Sequence, residues 1–291
     1  HFSSTEKTAT KKFLERLGLR NNGNWVYYNQ GSTIAADSLL GVKYLLARSR
    51  PNACYDELFT ENGITVYRNP YALPLGFMAA DAVDGVDPTG DNPFAFQNRI
   101  FAAMTGQGDL VVREENVTRS LHGLTEAGAG RYTVTGEGVA EFTFTAARTD
   151  PLYVYLPADQ LKRAAIAVNG RELGDYFDIR RYDVVYLGQF DSGEKVTFTV
   201  RALEDALYFR DAYFYYEDME RTAAVTQSLA SHPYTIDQFT SSHLTGTVTV
   251  PEGRERLVTT IPADEGWTVR VDGQKAEPVK VLDAVWSVPL T

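Results

Sequence analysis

The chain has 291 residues, with 28 Lys and Arg against 38 Asp and Glu, a formal net charge of −10 and one cysteine. At roughly 150 residues per domain the length suggests about two domains, and 44% hydrophobic against 23% charged residues excludes wholesale disorder. The basic residues are dispersed among more numerous acids, which argues against nucleic acid as a partner, and the lone Cys54 excludes a disulfide framework or a thiolate zinc site within one chain. No stretch approaches the roughly 20 apolar residues that cross a bilayer. The richest, Ser38–Ala47, is interrupted by Gly41 and Lys43. The N-terminus is polar rather than basic then apolar, so no signal peptide is expected and the 291 residues read as a soluble piece.

Residues 1–115 mix helix and strand signals. Thr5–Leu17 reads as a short helix, with Phe13, Leu14 and Leu17 on one face and Gly18 as its stop. Ser38–Ala47 looks like the start of a helix running into a strand, and Ile64–Arg68 alternates as a strand before the Asn69-Pro70 break. Asp91–Met104 is predicted as a second helix, with Pro93 in its first turn and Phe96, Ile100 and Met104 sharing a face.

Beyond about residue 116 the apolar period becomes two. Arg131–Val134, Glu141–Ala146, Leu152–Leu156, Ala164–Val168, Tyr182–Leu187 and Lys195–Arg201 are short alternating runs. They are separated by the turn signals Gly136-Glu137-Gly138, Asp150-Pro151, Asn169-Gly170 and Asp191-Ser192-Gly193. Such spacing predicts a β-sandwich over 116–207. Residues 208–240 follow as the aromatic segment Tyr208–Tyr216 and a helix over Glu217–Ala230, and 241–291 hold a second strand set. The fold class expected is mainly β with an α/β N-terminal part, comprising two jelly-roll-like β-sandwich modules and a small mixed region.

The two strand sets look related. EFTFTAARTDPLYVYLPAD (141–159) aligns without gaps to GTVTVPEGRERLVTTIPAD (246–264), an offset of 105, and Val168-Asn169-Gly170 meets Val271-Asp272-Gly273 at an offset of 103. Both tripeptides signal hairpins, because Asn-Gly and Asp-Gly tolerate the positive φ of a type I′ turn. After its hairpin the first set has a turn and closing strand, LGQFDSGEKVTFTV (187–200), whereas the second reaches only WSVPLT (286–291). An unclosed sandwich leaves unpaired backbone groups on an edge. Either another segment fills the gap or the sequence is cut there.

Candidate chemistry is sparse. His1, His122, His232 and His243 lack metal-ligand spacing, and Cys54 has no motif partner. No metal site, cofactor or catalytic residue is expected. The acid pairs Asp56/Glu57, Glu114/Glu115 and Glu204/Asp205 are adjacent in sequence, and neighbours on a strand face opposite ways. They fit solvated surface charge better than glycosidase carboxylates set roughly 5–9 Å apart across a sugar. The aromatics carry the candidate ligand site. Trp25, Tyr27 and Tyr28 lie in NNGNWVYYNQG, and Trp267 follows Gly266 between two strands. Their faces would stack on sugar C–H surfaces if they line a groove, or serve as core if they turn inward.

SLLGVKYLLA (38–47) followed by ITVYRNPYALPLGF (64–77), with TTIPADEGWTVRVDGQK (259–275) near the end, resembles the extracytoplasmic part of the YfhO-like bacterial membrane proteins. Ala263 stands where that family usually has Tyr, and Gln274 precedes the lysine. The resemblance implies a domain on the extracytoplasmic side of a bacterial cell membrane, excised from a polytopic protein and partnered by its transmembrane part. The family looks like glycosyltransferases that use a polyprenyl-phosphate sugar and decorate teichoic acids or other envelope glycans. Its catalytic acid would lie in a membrane loop outside this chain, so no catalytic residue is carried over. The expected task is to recognise the acceptor glycan, with a purely structural or protein-interaction role as the alternative. The matched residues themselves read as structural, with Gly41 bending the backbone, Pro74 and Pro262 punctuating strand ends and Asp272-Gly273 turning a hairpin.

Overall fold

Helix starts and stops coincide with side chains that satisfy terminal backbone groups. In the computed structural model, which describes residues 8–21, 26–27, 32–90, 92–128, 130–158, 160, 162–177 and 183–290, α1 spans Thr8–Arg16 and buries Phe13 and Leu14. The paired strands β1 (Arg20–Asn21) and β2 (Val26–Tyr27) follow. The Thr33 hydroxyl accepts from the Ala36 amide at 3.0 Å and opens α2 (Ile34–Leu39), every residue of which is buried. It leads to β3 (Tyr44–Ala47), so the expected strand is present, but the helix lies upstream of the Ser38 start read from the sequence because Thr33 supplies its cap. Next come β4 (Asp56–Glu61), β5 (Ile64–Arg68), β6 (Gly76–Ala79) and a 3-10 helix over Asp81–Gly85. β4 is exposed along its whole length and β6 buried along its whole length, so neither shows the alternation that marks a strand in sequence. α3 (Pro93–Thr105) takes Asn92 as its N-cap, Pro93 in its first turn, and Gly106 at φ +75° as its stop.

The period-two zone supplies β7 (Val111–Arg113), β8 (Thr118–Glu126), β9 (Arg131–Thr145), β10 (Leu152–Tyr155) and β11 (Ala164–Val168). It continues with β12 (Arg171–Tyr176), β13 (Val184–Gly188), β14 (Lys195–Ala202), β15 (Ala206–Tyr208) and β16 (Tyr213–Glu217). The expected pair 131–134 and 141–146 is one strand of 15 residues, β9. Gly136-Glu137-Gly138 does not end it. His122 pairs with Val139 and Leu124 with Val134, so residues 135–138 bulge out opposite the single residue Gly123. Gly136 takes φ +76° and Gly123 φ +58°, which glycine adopts at no steric cost.

The remaining elements are α4 (Met219–Ala230), β17 (Thr235–Phe239), β18 (Leu244–Thr247), β19 (Arg256–Pro262), β20 (Val269–Val271), β21 (Gln274–Ala276), β22 (Val279–Val281) and β23 (Val285–Pro289). Asp218 caps α4 by accepting from the Arg221 amide at 3.0 Å.

The chain forms two compact units. One comprises residues 18–32 and 112–217, and the other α1, residues 33–111 and 218–291. The first unit is a sandwich. One sheet runs β12-β11-β14-β9, with β8 on the far edge of β9, and the other runs β13-β10-β16-β7. Alternate residues of both sheets fill the core, including Phe142, Ile166, Phe198, Val154, Leu187 and Phe214. The Phe214 ring links the two sheets, lying 4.9 Å from Phe144, 5.6 Å from Phe198 and 5.9 Å from Phe142 between centroids. Burying such a ring contributes on the order of 2–3 kcal/mol. The mainly β fold is therefore present, and the core reading of the aromatic segment holds for Phe214 and Tyr216.

In the second unit, β3-β5-β4 form one sheet and β22-β23-β19-β6 another, while β17-β18 and β20-β21 are separate hairpins. β6 lies 177 to 183 residues upstream of its partner β19, with Ala79 paired to Arg256 and Gly76 to Thr259. It flanks β19 as β16 flanks β10, and does not replace the closing strand that the sequence comparison finds missing. Both Asn169-Gly170 (φ +46°, +77°) and Asp272-Gly273 (φ +49°, +79°) make the expected positive-φ hairpin turns.

Gly123→Ala should lower stability by about 2–4 kcal/mol, because its Cβ would meet Thr135 O at 2.6 Å in addition to the positive φ. Gly136→Ala, with open space around its Cβ, should cost only about 1 kcal/mol. Equal urea midpoints for the two variants would contradict the bulge. Burial pushes the Tyr216 hydroxyl up to about 12, against an unfolded value of about 10. The fold favours the neutral phenol, so this contribution is complete below pH ~10 and is lost between pH ~10 and ~12. Tyr216→Phe should cost about 1 kcal/mol at neutral pH through the lost 3.2 Å bond from the Ala147 amide, yet flatten the alkaline fall in the denaturation midpoint.

Candidate functional site

The residues that carry the family-like motifs converge on one turn. Asn69 Nδ2 donates to Ser38 Oγ at 3.2 Å and to the Val42 carbonyl at 3.1 Å, while its Oδ1 accepts from the Tyr71 amide at 3.0 Å. The Asn69 amide donates to the Lys43 carbonyl, and the Leu73 amide to that of Ser38. One buried side chain thus joins the α2–β3 turn to the segment following β5. Gly41, at φ +67°, lets the turn pass the Leu73 carbonyl, which a Cβ would meet at 3.3 Å. Nearby, Asp37 accepts from the Tyr55 hydroxyl, and Gln97 bridges Thr33 Oγ1 at 2.7 Å and the Leu17 carbonyl at 2.8 Å. These polar groups are buried and paired, as a polar interior requires, and they hold the chain's course.

Trp267 differs. It is 40% exposed, so the core reading of this ring gives way to a surface one. Asp264 sets its place by accepting from the Gly266 amide at 2.8 Å and, through its carbonyl, from the Trp267 amide at 3.2 Å. Glu265 beside it is also exposed. Trp25 and Tyr28 lie outside the described residues, and of Tyr27 only the backbone, in β2, is described.

Most of the acid pairs take the surface roles expected of them, with Glu114, which is buried, as the exception. Asp56 binds Arg68 at 2.7 Å, and Glu57 lies 3.9 Å from Arg50. Glu204 and Asp205 both hold Lys162, at 3.2 and 3.0 Å. Those two carboxyls are held below, and the Lys162 ammonium above, their ordinary values by hydrogen bonds: from the Arg163 amide, then Lys162, for Glu204, and from Lys162 for Asp205. Glu114 is buried and accepts from the Asn116 amide. His122 and His232 contact Ser120 and Ser231. Cys54 is partly buried, and its amide donates to Asn52. Among the described residues no group of three His, Cys, Asp or Glu side chains is placed to hold a metal.

Sequence reading missed one surface. On β3-β5-β4, Leu46 and Phe59 both pair with Val66, in the row next to Tyr44–Arg68–Asp56. Leu46 is 67% and Phe59 58% exposed, with Tyr44, Leu58 and Ile64 also exposed. Nothing in the period of YLLA (44–47) says that Leu45 turns inward while Tyr44 and Leu46 stay exposed.

The chain belongs to the family of the bacterial membrane protein YfhO, whose family model matches residues 1–291. Among the described residues no helix is long and apolar enough to cross a membrane. No curated protein sequence matches. Among solved structures, a GH26-CBM35 β-(1,4)-mannanase from Podospora anserina is similar at 21% identity, over 36% of this chain and 27% of that one, with a TM-score of 0.26. The acetyl xylan esterase Est2A from the rumen bacterium Butyrivibrio proteoclasticus is similar at 14% identity, over 37% of this chain and 32% of that one, with a TM-score of 0.25. The chain thus spans about a third or less of these solved chains.

Asn69→Ala should destabilise the second unit by about 2–4 kcal/mol, because it strands buried partners on three sides. A denaturation midpoint within error of wild type would remove Asn69 from this role.

Proposed function

We propose that this chain is the extracytoplasmic domain of a multi-span, polyprenyl-phosphate-sugar-dependent glycosyltransferase of the YfhO family, and that it holds an acceptor glycan of the cell envelope without catalysing transfer itself. The observation that carries this reading is the exposed Trp267 ring, fixed by the Asp264 turn, within a chain of that membrane family. An indole face offers a flat apolar surface to sugar C–H groups, and a preset turn reduces the entropy lost on binding. The adjoining Asp264 and Glu265, with the overall charge of −10, disfavour a polyanionic backbone such as unmodified teichoic acid. The acceptor is therefore a neutral or cationic envelope polymer, or a teichoic acid bearing cationic substituents.

The alternative role, a structural or docking module for the transmembrane part of the same protein, is favoured by the exposed Tyr44, Leu46, Leu58, Phe59 and Ile64 on β3-β5-β4. Clustered apolar surface of this kind marks an interaction face.

Titration calorimetry against a panel of envelope polymers separates the two. Glycan binding should be measurable for the wild-type chain and fall at least tenfold in Trp267→Ala, with the circular dichroism spectrum and melting temperature retained. No binding to any polymer by a folded chain would sink the glycan role and leave the docking role. Turnover of a polyprenyl-phosphate sugar by the chain alone would sink the claim that transfer occurs elsewhere.

A further inference from the structure

The two units contain the same sandwich plan, and one position of it is vacant in the second. In the first, the six-stranded sheet reads β12-β11-β14-β9-β8, with β15 also paired to β9, and β14 lies antiparallel to both β11 and β9. The facing sheet is built on β10, flanked by β13 and β16. In the second, β19 takes the place of β10, flanked by β23 and β6. The hairpin β20-β21, turning on Asp272-Gly273, matches β11-β12, turning on Asn169-Gly170. The hairpin β17-β18 matches β8-β9. β17-β18 and β20-β21 are separate two-stranded sheets, and by this correspondence a completed second sheet would read β21-β20, one further strand, then β18-β17. Among the described residues no strand joins β20 to β18.

Burial registers that gap. In the first unit β14 drives Val196, Phe198 and Val200 fully into the core, and its neighbours Phe142, Ile166 and Val168 are buried with it. In the second, Val248, Val250, Val269 and Val271 pack on the core of Met78, Leu257, Val288 and Leu290 yet remain only partly buried. Neither hairpin has a further strand partner on either edge among the described residues, and by the correspondence above β18 and β20 carry the edges that β14 would join. Two-stranded hairpins are marginal by themselves, and such edges recruit a further strand.

We propose that an extended polypeptide strand from outside residues 1–291 inserts between β18 and β20, antiparallel to both, and completes the second sandwich. The occupant is defined by β14: about eight residues with β-branched or aromatic side chains at alternate positions facing the core. Backbone pairing on both edges supplies the affinity, and the half-buried valines supply the register.

The test extends the chain after Thr291 with a copy of Asp191–Ala202. This reproduces the turn and strand at the spacing that separates β13 from β14. Hydrogen exchange of the amides in 244–250 and 269–271 should slow at least tenfold, with a rise in melting temperature. Val196→Asp and Phe198→Asp, made in the copied segment only, should reverse both effects. Unchanged exchange in the extended, folded protein would overturn the proposal. So would hairpins already protected in the unextended chain, whether light scattering finds a monomer, in which β18 and β20 join directly, or a dimer, in which a second copy fills the gap.

Discussion

The second unit depends on four residues, Gly76–Ala79. They are buried throughout and meet chain on both edges. β19 pairs along one side, while the Tyr234 amide donates to the Gly76 carbonyl and Phe77 bridges Pro233 on the other. Glycine at 76 keeps this approach close, since a Cβ there would lie 3.0 Å from that of Tyr234 and 3.1 Å from Leu257 Cδ1 and would push one of them back. Without this strand, the C-terminal segment would be a set of short hairpins around a few half-buried valines. With it, Met78 joins Leu257, Val288 and Leu290 in a core, and residues far apart in sequence fold as one body. The loop closure is long, but its entropic cost grows only logarithmically with length, whereas four fully buried residues contribute in proportion to area.

This arrangement recasts the internal repeat. The first sandwich draws its flanking strand β16 from chain that follows β10, and the second draws β6 from chain that precedes β19. Opposite chain order thus serves one spatial role. Sequence similarity between the modules is low because what each position must satisfy is a direction of pairing and an inward side chain. Ile166 and Val168 are met by Val269 and Val271, and Leu187 by Val288, without identity being needed.

Much of this was legible in sequence where a local rule operates alone. The helix over 91–104 followed from Pro93, and the hairpins from Asn169-Gly170 and Asp272-Gly273, since each depends on neighbours within four residues, whereas the Thr33 cap of α2 was missed. β4 and β6 were illegible because their environment is set from afar. β4 has neither face covered, and β6 has both, so alternation carries no signal in either. The glycines at 136 and 138 misled for a related reason. They permit a turn, but β8 pairs on both sides of them and keeps β9 continuous. Of the candidate site, the surface place of Trp267 was left open by sequence, since Gly-Trp between strands suits a core staple as well as an exposed ring.

The same logic separates membership of the family from its chemistry. Motif residues such as Ser38, Gly41 and Asn69 lie in a turn held by internal hydrogen bonds, and Ser38 and Asn69 are buried. They identify a scaffold because burial restricts what fits there. Residues that meet a ligand or partner must be exposed, and among the motif residues Tyr44, Leu46, Ile64 and Trp267 combine exposure with a large apolar surface. The first three share the sheet β3-β5-β4, whereas Trp267 stands on the turn that Asp264 holds ahead of β20. The two proposed roles thus rest on different parts of the second unit, one on a single ring set by a local turn and the other on a cluster spread over a sheet.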